Sequence, residues 1–257
     1  MSDRRFSFRR DLAWAMGLSA LVFLWAHGPL LVRPFVVNDD VRQQLFWMER
    51  WRDPGLFPND LLTTYAEHYV PWGVRALYWL ATLAIEPLLF SKLLAGALFV
   101  ALVGLSFTIG VKLAGRRAGW AMASLIWLMP FFLDQSSGGL ARAFAAPVLA
   151  LFALGWLSRR ASLMAAALVA GALFVPYAFL LCAAAWSLGL LASLRFRECA
   201  HCRCASVCVA VSLGAALSAA LAVDFDRAGF GPLAAGETVR GAAFGAEGRY
   251  PLLPFAS

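Results

Sequence analysis

The residues best suited to chemistry lie together in one polar stretch, Arg33 to Tyr69, which carries Asp39, Asp40, Arg42, Glu49, Arg50, Arg52, Asp53, Asp60 and Glu67. The adjacent acids Asp39 and Asp40 follow Asn38 and open a run to Arg52 in which Val41, Leu45, Met48 and Trp51 recur at helical spacing. Asn38 and the two acids suit the start of such a helix, where they cap free N–H groups and complement the dipole. A carboxylate held at that place can also serve as a general base or a metal ligand. Asp53-Pro54 stops the helix. A second cluster, Cys199, His201, Cys202 and Cys204 with Cys208 just beyond, has ligand types that suit zinc. It lacks the paired motifs with an intervening segment that a structural zinc site uses, so we read an incidental group of thiols. His68 stands beside Tyr65 and Tyr69, and His27 lies within an apolar run. No nucleophile-elbow, phosphate-loop, dinucleotide or nucleic-acid motif is present.

The elements that must position these residues are apolar. Of 257 residues 61% are hydrophobic and 14% are charged, against about 45–50% and about 25% in soluble domains. One soluble core of this size could not hide that much apolar surface, and disordered chains are polar. The composition implies an all-α, multi-pass transmembrane helix bundle. Apolar runs fall at about 12–32, 93–111, 120–133, 143–157, 161–175, 177–194 and 205–223. Several are shorter than the ~20 residues that span a bilayer core. The first run is too long for a cleaved signal peptide and ends in bulky residues, so we read it as an uncleaved anchor.

Arg4, Arg5, Arg9 and Arg10 precede the first run and place the N-terminus in the cytoplasm. The loop 33–91 is then extracytoplasmic. Pro71–Phe90 is apolar but holds Arg75 and Glu86, which are costly in lipid. We read it as an interfacial helix, which keeps Lys112, Arg116 and Arg117 inside. A hairpin at Pro176, rather than one long kinked helix from Ala161 to Leu194, keeps Arg195–Arg203 inside as well. This map of seven spans places twelve basic and three acidic residues inside, and ten basic and twelve acidic residues outside. The net charge of +7 therefore reflects topology and not a face for nucleic acid.

Several segments resemble the GT-C superfamily of membrane glycosyltransferases. A first span followed by an outer loop that opens with acidic residues is one such feature. The proline-started stretch VPWGVRALYWLATLAIEPLLFSKL is similar to the juxtamembrane helix that ends that loop. The stretch GRRAGWAMASLIWLMPFFLDQSS resembles the basic turn and following span of those proteins. Seven spans also match the shared membrane module in number. The resemblance implies transfer of a sugar from a lipid-phosphate donor on the extracytoplasmic face. It implies Asp40, or else Asp39, as base or metal ligand, with Asp134 assisting from the next outer loop. A departing lipid phosphate needs positive charge. Arg42, Arg75 and Arg142 are candidates, since a guanidinium offers a fork of donors to phosphate; taken singly, each could instead pair with an acid or snorkel.

Two departures stand against the resemblance. Many relatives place an acidic residue on the span that begins after Gly138-Gly139, where this chain has Arg142, so a divalent cation as cofactor stays open. Relatives also continue beyond the seven spans, so 224–257 reads as the start of an extracytoplasmic loop, cut short. The expected partners are membrane lipids and the lipid-linked sugar donor, with a second membrane subunit as a further one. Two other functions suit a chain of this pattern. A transporter or flippase would place ionisable or helix-breaking residues at mid-membrane, where Pro130, Pro147 and Pro176 are the breaks to watch. A non-catalytic assembly subunit is the other.

Overall fold

The computed structural model describes residues 2–33, 35–196 and 205–227. The described residues form helices and turns, with no strand among them. The long first helix, α1 (Ser2–Leu31), is followed by α2 (Asp39–Leu45), which tightens into a 3-10 turn, Phe46–Trp51. Then come α3 (Leu61–Tyr69), α4 (Trp72–Thr82), α5 (Pro87–Ala114), α6 (Arg116–Leu128) and α7 (Pro130–Ser136). Two short 3-10 segments, Ser137–Gly139 and Ala141–Phe144, lead into α8 (Ala145–Leu157), α9 (Ala161–Phe174), α10 (Pro176–Phe196) and α11 (Ala205–Arg227).

Among the described residues, three helical stretches are long and apolar enough to cross a membrane: Phe8–Leu31, Pro87–Ala114 and Ser206–Asp224. Ala141–Leu157, Ala161–Phe174 and Pro176–Leu191 are apolar but shorter. The outer faces of these helices are apolar too. Trp14, Leu21 and Trp25 on α1, Leu181 and Leu188 on α10, and Val209 on α11 are all exposed. Such a surface suits lipid rather than water.

Prolines set two boundaries that the apolar pattern alone does not show. The stretch Pro71–Phe90, expected as one interfacial helix, is two elements: α4 ends at Thr82 and α5 begins at Pro87. Pro87 occupies the first turn, where its missing N–H costs nothing, and it holds Glu86 in extended backbone (φ −68°, ψ 144°). The run 120–133 is likewise divided, because Pro130 forces Met129 out of the helix (φ −96°, ψ 103°).

Glycines mark the reversals. A Cβ on Gly110 would come within 2.5 Å of the Ala118 carbonyl oxygen, one on Gly155 within 2.8 Å of the Met164 nitrogen, and one on Gly171 within 2.9 Å of the Phe179 nitrogen. Residues eight or nine apart in a continuous helix are separated by roughly 12–13 Å along the axis, so the chain turns back at each place. The reversal at Pro176 makes α9 and α10 a hairpin and rules out one long kinked helix.

The helices α1 and α5 run antiparallel. The ring of Phe8 lies 6.2 Å from that of Phe107, Met16 meets Gly104, and Phe23 meets Gly96. At one end of this pair, buried Asp11 accepts from Arg116 Nε at 2.6 Å. At the other end, Lys92 Nζ donates to the carbonyl oxygens of Leu30 (2.7 Å) and Arg33 (2.6 Å). The start of α8 and the end of α9 lie here as well, since Gly139 abuts Ser91 and Leu173 abuts Gly73. The turn Arg159-Arg160 therefore falls at the Asp11–Arg116 end. Thus Arg9, Arg10, Arg116, Arg117, Arg159 and Arg160 gather at one end, and the acid-rich segment 33–91 lies at the other.

The Lys92 ammonium closes the end of α1, whose last carbonyls lack helical partners. Only 9% of Lys92 is exposed. Replacing it by Met would leave two carbonyl oxygens without those bonds, and we expect a loss of about 1–3 kcal/mol. Thermal unfolding in detergent micelles, followed by tryptophan fluorescence, measures this; an unchanged midpoint would show that water replaces the ammonium.

Candidate functional site

The site is built on the first turn of α2. Asn38 caps it, its Oδ1 accepting from the Asp40 N–H at 3.0 Å. The helix is held in place by its apolar stripe: Val41 and Leu45 are 1% exposed and Met48 is fully buried. Docking that stripe on the bundle leaves Asp40, Gln43 and Gln44, spaced i, i+3, i+4, along a different face.

Arg142 comes to Asp40 from the opposite half of the chain. Its Nη1 donates to Asp40 Oδ2 at 2.5 Å. The turn that delivers it needs two left-handed residues, Gly138 (φ 84°) and Gly139 (φ 58°). Tyr78 is buried and its hydroxyl donates to the Gly139 carbonyl oxygen at 3.1 Å. Burial raises the Tyr78 phenol above its ordinary pKa, so it remains a proton donor to this turn throughout the physiological range. The Nε of Arg142 is buried and makes no hydrogen bond. The guanidinium thus holds unused donor capacity beside its ion pair.

Two clefts meet at Asp40. The first, about 430 Å³, is walled by Gln43, Gln44, Tyr65 and Tyr69. The second, about 390 Å³, is walled by Arg142, Tyr177 and Leu221 and shares Asp40, Gln44 and Tyr69 with the first. The two tyrosines come from α3 and stand one turn apart, their rings 5.8 Å between centroids and 14° from parallel.

The position of α3 depends on Asp60. Its Oδ2 accepts from the Thr63 N–H at 2.8 Å and from the Thr63 hydroxyl at 2.7 Å. These bonds, the side-chain one first, lower the Asp60 pKa below 3.8. A depressed folded-state pKa gives stability that is complete above the unfolded value and is lost as the pH falls through the folded one. Acid should therefore fray α3 below about pH 4. Hydrogen exchange at the Thr63 and Thr64 amides checks it, with faster exchange expected in acid for the native chain. Asp60→Asn keeps a capping oxygen and should lose the pH dependence; if it does not, another group is responsible.

Among the six sequence candidates, the structure brings Asp40 and Arg142 together and leaves the other four outside both clefts. Asp39 is exposed, and Asp134 is exposed on α7. Arg42 faces a separate cavity with Phe35, Glu49 and Phe57. Arg75 pairs with Glu67 at 3.1 Å and lies 5.9 Å over the Trp47 ring. Gln43, Gln44 and Tyr177 escaped the sequence reading, although the i, i+3, i+4 spacing of Asp40, Gln43 and Gln44 was a usable signal. His68 lines neither cleft, and its Nδ1 lies 2.8 Å from the Thr64 carbonyl oxygen. His27 stacks on Phe23 at 4.5 Å. Cys199, His201, Cys202 and Cys204 lie outside the described residues.

These residues do not fit a divalent cation. Among the described residues, Asp40 is the single carboxylate lining the two clefts, and a guanidinium already sits on it. Among the described residues, no group of three or more His, Cys, Asp or Glu is arranged to hold a metal. The ion pair places positive charge where a cation would otherwise bind.

No known family model matches the chain, and no curated protein and no solved structure is similar to it.

Proposed function

We propose that this is a multi-pass membrane glycosyltransferase of the GT-C kind, acting at the end of the bundle that carries segment 33–91. In this proposal the basic end faces the cytoplasm, as the charge bias of membrane proteins favours. The clefts then open on the extracytoplasmic face of the cell membrane, and the seven apolar segments cross it.

One observation carries the assignment. A partly exposed carboxylate, Asp40, stands where two clefts meet, with the Arg142 guanidinium at its side. An acceptor hydroxyl in one cleft attacks the anomeric carbon of a lipid-phosphate sugar in the other. A C–O bond forms to the acceptor, the bond from that carbon to the phosphate oxygen breaks, and the acceptor proton passes to Asp40. Negative charge grows on the departing lipid phosphate. Arg142, which lines the second cleft, supplies the compensating positive charge.

The test is transfer from a polyprenyl-phosphate sugar by purified full-length protein in lipid nanodiscs, with the free lipid phosphate followed as product. Product that forms in proportion to protein supports the assignment. Flux of the donor across the membrane without release of lipid phosphate would replace it with a flippase.

A further inference from the structure

The two clefts at Asp40 differ in chemistry. The one with Arg142 has the positive charge. The other, between α2 and α3, has none among the described residues; its polar groups there are the amides of Gln43 and Gln44, the Asp40 carboxylate and the tyrosine hydroxyls. We propose that this cleft is a saccharide-binding subsite that holds a mono- or disaccharide acceptor. The subsite rests on the transferase reading for the acceptor role, but its ligand class follows from the wall itself.

Three features of that wall select a sugar. Each glutamine carries a donor pair and an acceptor on one planar group, which matches neighbouring hydroxyls that both give and take hydrogen bonds. Tyr65 and Tyr69, stacked on each other, both line one side of the cleft. The face of an aromatic ring is electron-rich, and the C–H face of a pyranose is the complementary surface. Asp40, in the same wall, accepts from whichever hydroxyl reaches it, and that hydroxyl is the one placed for attack. A volume of about 430 Å³ lies within the ~300–1,000 Å³ usual for small-molecule sites.

A lipid-facing aromatic belt is the competing use for exposed tyrosines. A belt would have no need of Gln43, Gln44 and Asp40 in the same wall. Trp79 gives the comparison inside this molecule: it is 53% exposed on α4 and lines neither cleft.

The experiment is saturation-transfer NMR on the full chain in phosphatidylcholine nanodiscs. The probes are the methyl glycosides of glucose, mannose, galactose, xylose and arabinose, each as α and β anomers. At least one should receive saturation, concentrated on the protons of one ring face. Tyr69→Ala and Gln44→Ala should weaken binding about tenfold, the scale of one lost aromatic or amide contact. Tyr69→Phe should retain the stacking and most of the affinity. Trp79→Ala should change nothing. Tyr69 is half exposed, so its loss does not open the core. No saturation of any glycoside, or equal losses in Tyr69→Ala and Trp79→Ala, would overturn the subsite. Glycoside binding without sugar transfer by the native chain would keep the subsite and remove the transferase. Transfer with a KM for acceptor unaltered in Tyr69→Ala would do the reverse.

Discussion

Asp40→Asn is expected to lower sugar transfer about 10²–10⁴-fold, the usual worth of a positioned general base, with the protein's abundance in membranes unchanged. The substitution removes the proton-accepting charge and little else. Asn has the same shape, and its side-chain oxygen can still accept from Arg142. Asn38, not Asp40, provides the side-chain cap of α2. The Asp40 carboxylate is 41% exposed, so the change creates no cavity. Asp39→Asn is the internal comparison. That neighbour is exposed and lines neither cleft, and its replacement should leave the rate near that of the native chain. Activity retained in Asp40→Asn would remove Asp40 from the chemistry, and equal losses in both variants would point to charge at the membrane surface instead.

The largest expected structural effect belongs to Gly139→Val. Gly139 has φ 58°, a backbone region that β-branched residues avoid. Its Cβ would also stand 2.7 Å from the Ser91 carbonyl oxygen, a backbone atom of α5 that cannot swing aside. Left-handed strain and overpacking each cost about 1–3 kcal/mol, so a loss of about 3 kcal/mol or more is expected. The same residue delivers Arg142 to Asp40 and accepts from Tyr78, so transfer should fall together with stability. Gly17 is the contrast: nothing lies within 4 Å of its Cβ position, and Gly17→Ala should be neutral or slightly stabilising. Thermal unfolding in detergent and transfer rates on the same preparations decide the matter. A native-like melt for Gly139→Val would mean that the turn can be rebuilt without its left-handed backbone.

Much of the helical order was legible because it depends on local pattern. Asp39 begins α2 where Asn38 and the acidic pair predict, and Val41, Leu45 and Met48 are buried as their spacing implies, but the α-helix ends at Leu45 in a 3-10 turn and Trp51 is only partly buried. The hairpin at Pro176 and the gathering of basic turns at one end also follow from charge and from proline. The boundaries at Met129 and at Thr82–Pro87 were not legible from apolar content, because hydrophobicity does not register a missing N–H. Pairing between distant segments was less accessible still. Glu67 takes Arg75 and Asp11 takes Arg116, and neither arginine reaches the Asp40 clefts. Nothing local distinguishes Arg142 from Arg75, since each is a single arginine between apolar neighbours.

The sequence by itself determined that the chain is helical, that its helices need a lipid-like surrounding, and that its acidic residues collect in one segment. Each of these is a sum over composition or a period along the chain. Only the tertiary structure decided which acid meets which base, which helix faces wall a cleft, and that Gln43, Gln44 and Tyr69 share it with Asp40. The ion pair joins residues 102 positions apart, and it forms because α1, α5 and the Gly138-Gly139 turn bring the two ends of that interval to one end of the bundle. A contact of that range depends on packing and on two left-handed glycines, and no periodicity along the chain encodes it.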